Sequence, residues 1–129
     1  MVTKLPHPTH WARHVPKAVA LLAGARGRPR RLTVSGDSML PTFRPGDRVV
    51  VVPTRSVAPG HIVAVADPTA PARMLIKRVQ GVAPAGLDVR GDNEDASTDS
   101  RTFGPVPMAA VIGRVVYQYH PSERAAWLA

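Results

Sequence analysis

A chain of 129 residues with a formal net charge of +8 and no cysteine has room for one core and none for disulfides, thiolate catalysis or a Cys-based zinc site. Hydrophobic residues make up 44% but aromatics only 5%, so aliphatic side chains, chiefly valine, must fill that core. Fourteen prolines and ten glycines argue against long helices and for short strands joined by turns.

In chain order, residues 1–30 read as a basic N-terminal arm. Lys4, Arg13, Lys17, Arg26, Arg28, Arg30 and neighbouring Arg31 concentrate positive charge there. Such an arm is either a solvated tail or a contact for an anionic surface. Binding to single strands needs aromatic platforms among the charges, and only Trp11 is present, so no nucleic-acid partner is expected. Peripheral contact with anionic membrane is the partner its charge suits. Pro16 fits the first position of a short helix over Lys17 to Ala23. The longest apolar run, Ala18 to Ala25, falls far short of the ~20 residues of a membrane span. The small residues ending it look like a cleavage site, but the segment ahead is too long and too basic for a secretory signal. The absence of cysteine fits a reducing compartment, and a cytoplasmic location is expected, with a peripheral membrane location as the alternative.

From residue 31 to 120 the text is β. "RLTVS" reads as a strand, "RPGDRVVVVP" as a turn and a buried strand, and "VAPGHIVAVADP" as the same grammar again. "RMLIKRVQGV", "GLDVR" and "AVIGRVVYQY" are further strands, "EDASTDSRTFGPVP" is a polar loop, and residues 121–129 form a tail with a helical turn in "SERAAWLA". The fold class expected is a small, mostly β domain of coiled antiparallel sheets.

Ser38 stands in a bend, behind Gly36 and Asp37 and ahead of Pro41. Such a bend can gather a hydroxyl and backbone N–H groups at one point, as a nucleophile and oxyanion hole require. It also suits an ordinary turn serine. Of the five histidines, His61 alone opens a strand and could serve as a base, but no carboxylate is placed to orient it. His10 and His14 have helical metal-ligand spacing without a third ligand. Lys77 is the better base. Strand alternation puts it on one face with Leu75 and Val79, and desolvation favours the neutral amine. The competing reading is a lysine that reaches water from an edge strand. The loop "GDNEDASTDSR", Gly91 to Arg101, is dense in hydroxyls and charges.

Together, "SGDSMLPTFRPGD", "IKRVQGV" and "GDNEDASTDSR" with "FGPV" after it resemble the three boxes of the type I signal peptidase family of Ser/Lys endopeptidases. The resemblance covers roughly residues 32–116. It implies Ser38 as nucleophile, Lys77 as general base and Ser97 as the hydroxyl that orients the lysine. It implies an Asp99–Arg101 ion pair near the site with Arg78 close by, and Asp92 and Asn93 as part of the third box. It places Ser35, Gly36 and Asp37 at the oxyanion turn. Some relatives carry a serine where Gly36 stands here. The family needs no metal or organic cofactor, and its partner is a polypeptide precursor.

Without a membrane anchor in view, the chain is similar to the nickel-type superoxide dismutase maturation protease, a trimmer of leader segments. Signal peptidase I-like processing of exported proteins is the alternative. The self-cleaving SOS-type repressor shares the Ser/Lys fold but carries a helix-turn-helix domain, for which the arm leaves no space. In another class stands a catalytically idle member binding lipid or nucleic acid through the arm.

Overall fold

The computed structural model describes residues 2–4 and 28–128. Among them it places eight strands: β1 (Val2–Lys4), β2 (Arg30–Val34), β3 (Arg48–Val52), β4 (Ile62–Asp67), β5 (Ala70–Ala83), β6 (Gly86–Arg90), β7 (Val111–His120) and β8 (Ala126–Trp127). Their order is β1-β2-β3-β7-β4-β5-β6, with β8 against β7 and a further β1–β5 pairing. That last contact closes the sheet on itself, so the expected mostly β architecture is present as a small barrel with β6 as an outer flap. The β1–β5 pairing covers part of the β5 edge that would otherwise stand open.

The continuous valine run of β3 is buried along Val49 to Val52, and Ile62 to Val65 of β4 are buried as well. Strands covered on both faces carry unbroken apolar runs instead of alternation. One face supplies the barrel interior, with Leu32, Val34, Phe43, Val49, Ile62 and Ile76. The other packs Val63, Val65, Leu75, Val79, Leu87 and Val89 under the β6 flap.

Two boundaries differ from the sequence reading. Val2–Lys4, assigned above to the arm, is a strand of the sheet, paired along β2 and with β5 at Val2. The helix expected over Lys17 to Ala23 lies outside the described residues. The tail makes one tight turn, Ser122–Arg124, and then pairs as β8, where Trp127 packs on Tyr117 with ring centroids 5.0 Å apart. An aromatic contact of this kind, together with an ion pair from Arg124 to buried Asp47, draws the tail onto the barrel. No helix among the described residues is long and apolar enough to cross a membrane.

Candidate active site

Ser38 sits four residues past the end of β2, in a bend that Gly36 enters with φ +79°, a left-handed conformation that costs a glycine little. Met39 and Phe43 are buried at 1% and 0% exposure, and the Phe43 N–H donates to the Met39 carbonyl at 3.0 Å. The bend is therefore pinned in the core on its far side while Ser38 stays half-buried at the surface of a cleft. The loop after β6 holds it from outside. The Asn93 N–H donates to the Ser38 carbonyl at 2.9 Å, and the Asn93 side-chain amide donates to the Asp37 carbonyl at 3.1 Å.

Lys77 lies in β5 opposite Val63 of β4, and 2% of it is exposed. Its neighbours on the same face, Leu75 and Val79, are buried too, as alternation requires. The side chain is turned inward and does not extend from an edge strand into bulk solvent. Its Nζ donates to Ser97 Oγ at 2.8 Å. Burial pushes the Lys77 ammonium below its ordinary pKa, the Asp99 carboxylate pulls the other way, and the Arg101 guanidinium adds to the depression. Desolvation wins because a neutral amine needs no compensating charge.

Ser97 is saturated. Its oxygen accepts from Lys77 and from the Gly91 N–H at 3.1 Å, and its proton goes to Asp99 Oδ2 at 2.6 Å. A hydroxyl has one donor and two acceptor positions, so its orientation is fixed. Asp99, fully buried, also accepts from the Gly91 N–H at 3.0 Å and from both arms of the Arg101 fork at 2.9 and 2.7 Å. Burial works against the Asp99 charge, but hydrogen bonds from Arg101, Ser97 and the Gly91 and Arg101 backbone outweigh it and hold the carboxyl well below the usual carboxylate range.

Arg78 is not part of this line. Its guanidinium grips Asp92 through two 2.8 Å bonds and donates to the Gly60 carbonyl at 2.9 Å. Asp92 in turn accepts the hydroxyl of Thr42, which lies in the same bend as Ser38. This second ion pair thus ties the strand of Lys77, the loop of Ser97 and the bend of Ser38 together. Thr42 was not singled out in the sequence, since nothing local marks its partner 50 residues away.

Ser38 and Lys77 line one open cleft of about 360 Å³, with Gly36, Asp37, Asp67, Thr69, Arg73 and Leu75 among its walls. The sequence reading missed Asp67, Thr69 and Arg73. They cluster because Asp67 caps the β4–β5 turn, accepting the Thr69 N–H and hydroxyl at 2.8 and 2.7 Å, a bond pattern that "DPT" announces. Ser35 is half-buried just ahead of the bend. His61 is elsewhere: its Nδ1 accepts the Ala58 N–H at 3.1 Å, and it does not line the cleft.

A serine and a desolvated, hydrogen-bonded lysine in one cleft can perform nucleophilic acyl chemistry. Comparison with known proteins finds similarity to proteases. The mitochondrial ATP-independent inner membrane protease subunit 1a of Arabidopsis thaliana is 32% identical over 70% of each chain. The mitochondrial inner membrane protease subunit 1 of Xenopus tropicalis is 34% identical over 69% of this chain and 68% of its own. Subunit 2 of the same protease in Schizosaccharomyces pombe is 30% identical over 72% of this chain and 66% of its own. The Peptidase S24-like family matches residues 13–116. That span takes in the bend of Ser38, the strand of Lys77 and the loop of Ser97, and the chain belongs to the Peptidase S24-like family.

Proposed function

We propose that this chain is a serine endopeptidase with a Ser38/Lys77 dyad, which removes a leader or signal segment from precursor proteins. The observation that carries the proposal is that buried Lys77, whose Nζ donates to Ser97 Oγ at 2.8 Å, lines the same cleft as Ser38.

In its neutral form Lys77 gives one hydrogen to Ser97 and keeps its lone pair for the Ser38 proton. Ser38 Oγ then bonds to the scissile carbonyl carbon, and the oxygen of the tetrahedral intermediate is held by main-chain N–H groups of the bend, that of Ser38 among them. The C–N bond breaks as Lys77 returns the proton to the leaving amine. Lys77 then takes a proton from water as the water oxygen bonds to the ester carbonyl carbon, and returns that proton to Ser38 Oγ as the C–O bond breaks and the acid product leaves. Ser97 and Asp99 keep the amine in place throughout.

The protease subunits named above, all called inner membrane proteases, favour precursor processing next to a membrane. The basic arm suits contact with anionic lipid there, on its cytoplasmic face. Trimming of a nickel superoxide dismutase precursor is a narrower assignment that those relatives do not favour, and the broader one is put forward here. An idle, lipid-binding member is the rival class. Incubating the purified chain with short peptides carrying small residues before the cut, alongside Ser38→Ala, decides between them. Cleavage by the first and none by the second is expected. Equal product from both would remove Ser38 from the chemistry.

A further inference from the structure

We propose that β1 occupies, within its own chain, the slot into which an extended substrate inserts, so that the substrate must displace it. The inference rests on the peptidase reading for what the slot receives.

The slot is defined by register. β1 lies antiparallel to β2, with Val2 opposite Val34 and Lys4 opposite Leu32, and Val2 also faces Met74 of β5 in antiparallel pairing. A strand antiparallel to both means that β2 and β5 run in the same direction. Their forward ends lead to the two reactive groups: Ser38 comes four residues after Val34, and Lys77 three after Met74. Any extended segment laid between β2 and β5 is therefore delivered to Ser38 and Lys77, with main-chain bonds on both sides. Val2 fills that seat. It is 7% exposed and packs in the cluster of Val34, Met39 and Ile76. The segment from Val2 to Lys4 runs away from Ser38, so it occupies the slot without carrying its own later peptide bonds to the nucleophile.

β1 is also short enough to yield. It has three residues, and its pairing with β5 is a single register position. Residues 5–29 separate it from β2, and as a segment of the same chain it competes with substrate as an intramolecular ligand. If the slot is open for about a tenth of the time, the apparent KM for a peptide rises about tenfold while kcat is unaffected. The seat also states what the incoming segment carries: a small or β-branched apolar residue at the place of Val2.

The test compares the full chain, a chain lacking residues 1–4, and Thr3→Pro, which removes a strand N–H without removing the segment. Binding of a fluorescent synthetic peptide of residues 1–6 is followed by anisotropy, and KM and kcat by cleavage of a short peptide. The expected result is saturable peptide binding at least tenfold tighter to both variants than to the full chain. KM should be at least threefold lower with kcat unchanged, and added unlabelled peptide should restore the higher KM. Folded variants with the KM and peptide binding of the full chain would overturn the proposal. So would loss of fold in both variants, since a strand the barrel cannot lose cannot give way. Should no chain cut any peptide, the peptidase reading falls, and the binding contrast alone still decides whether β1 exchanges.

Discussion

Gly91 stands so close to Ser97 that a β-carbon on it would lie 2.3 Å from Ser97 Oγ and 2.5 Å from the Ser38 carbonyl oxygen. The absence of a side chain at Gly91 lets its N–H reach both Ser97 and Asp99. Two of the three boxes therefore meet at a point with no space for one more carbon.

Gly91→Ala should push Ser97 and the Ser38 bend apart. A displacement of about 1 Å near the chemistry costs on the order of 10²-fold in rate, and overpacking a tight site costs roughly 1–3 kcal/mol of stability. Gly81→Ala, where a β-carbon meets nothing within 4 Å, is the control and should keep both rate and melting temperature. Comparable kcat for the two variants would show that the contact at Gly91 is tolerant.

Lys77 should make stability and activity depend on alkaline pH. Its folded pKa is lowered from an unfolded value of ~10.4. Between the two values the unfolded chain binds more protons, so stability should rise with pH across that window and level off above it. Lys77→Met removes a buried amine and should abolish cleavage, flatten that rise and increase the melting temperature at neutral pH. Lys77→Arg should also be inactive, because a guanidinium keeps its proton. A pH–rate profile of the unaltered chain should climb along an ionisation below ~10.4, the ordinary lysine value. Retention of more than about a tenth of the activity in Lys77→Met would contradict a general-base role.

Ser97→Ala should slow turnover by roughly ten- to a thousandfold, as loss of a positioning group does. It leaves the Lys77 amine without its described acceptor and takes one donor from Asp99. Single-turnover rates measured across pH separate this from a loop effect, since an unoriented amine titrates differently as well as reacting more slowly. An unchanged rate constant and profile would place Ser97 outside the catalytic line.

The arm carries a further expectation. Attraction between its cations and anionic lipid is screened beyond ~10 Å at moderate salt. Co-sedimentation of the chain with phosphatidylserine vesicles should therefore fade as salt rises, and should be weaker for a chain in which Lys17, Arg26 and Arg28 are replaced by glutamine. Equal sedimentation of both chains at every salt concentration would exclude an electrostatic contact.

The sequence by itself determined the local facts. The alternation Leu75-Ile76-Lys77-Arg78-Val79 turns Lys77 inward, the valine run of β3 demands burial on both faces, and Gly36 permits the bend at Ser38. Each depends on neighbours within a few residues, where backbone geometry alone decides the outcome. Only the tertiary structure decided what meets across long separations. It paired Arg78 with Asp92 and brought Thr42 onto the same carboxylate. It set Gly91 against Ser97 with no room to spare, and laid Val2 between Val34 and Met74. Charge and alternation say only that such residues need partners. Which partner each finds is set by strand register around the closed barrel, and a one-residue slip in any ladder would have chosen others.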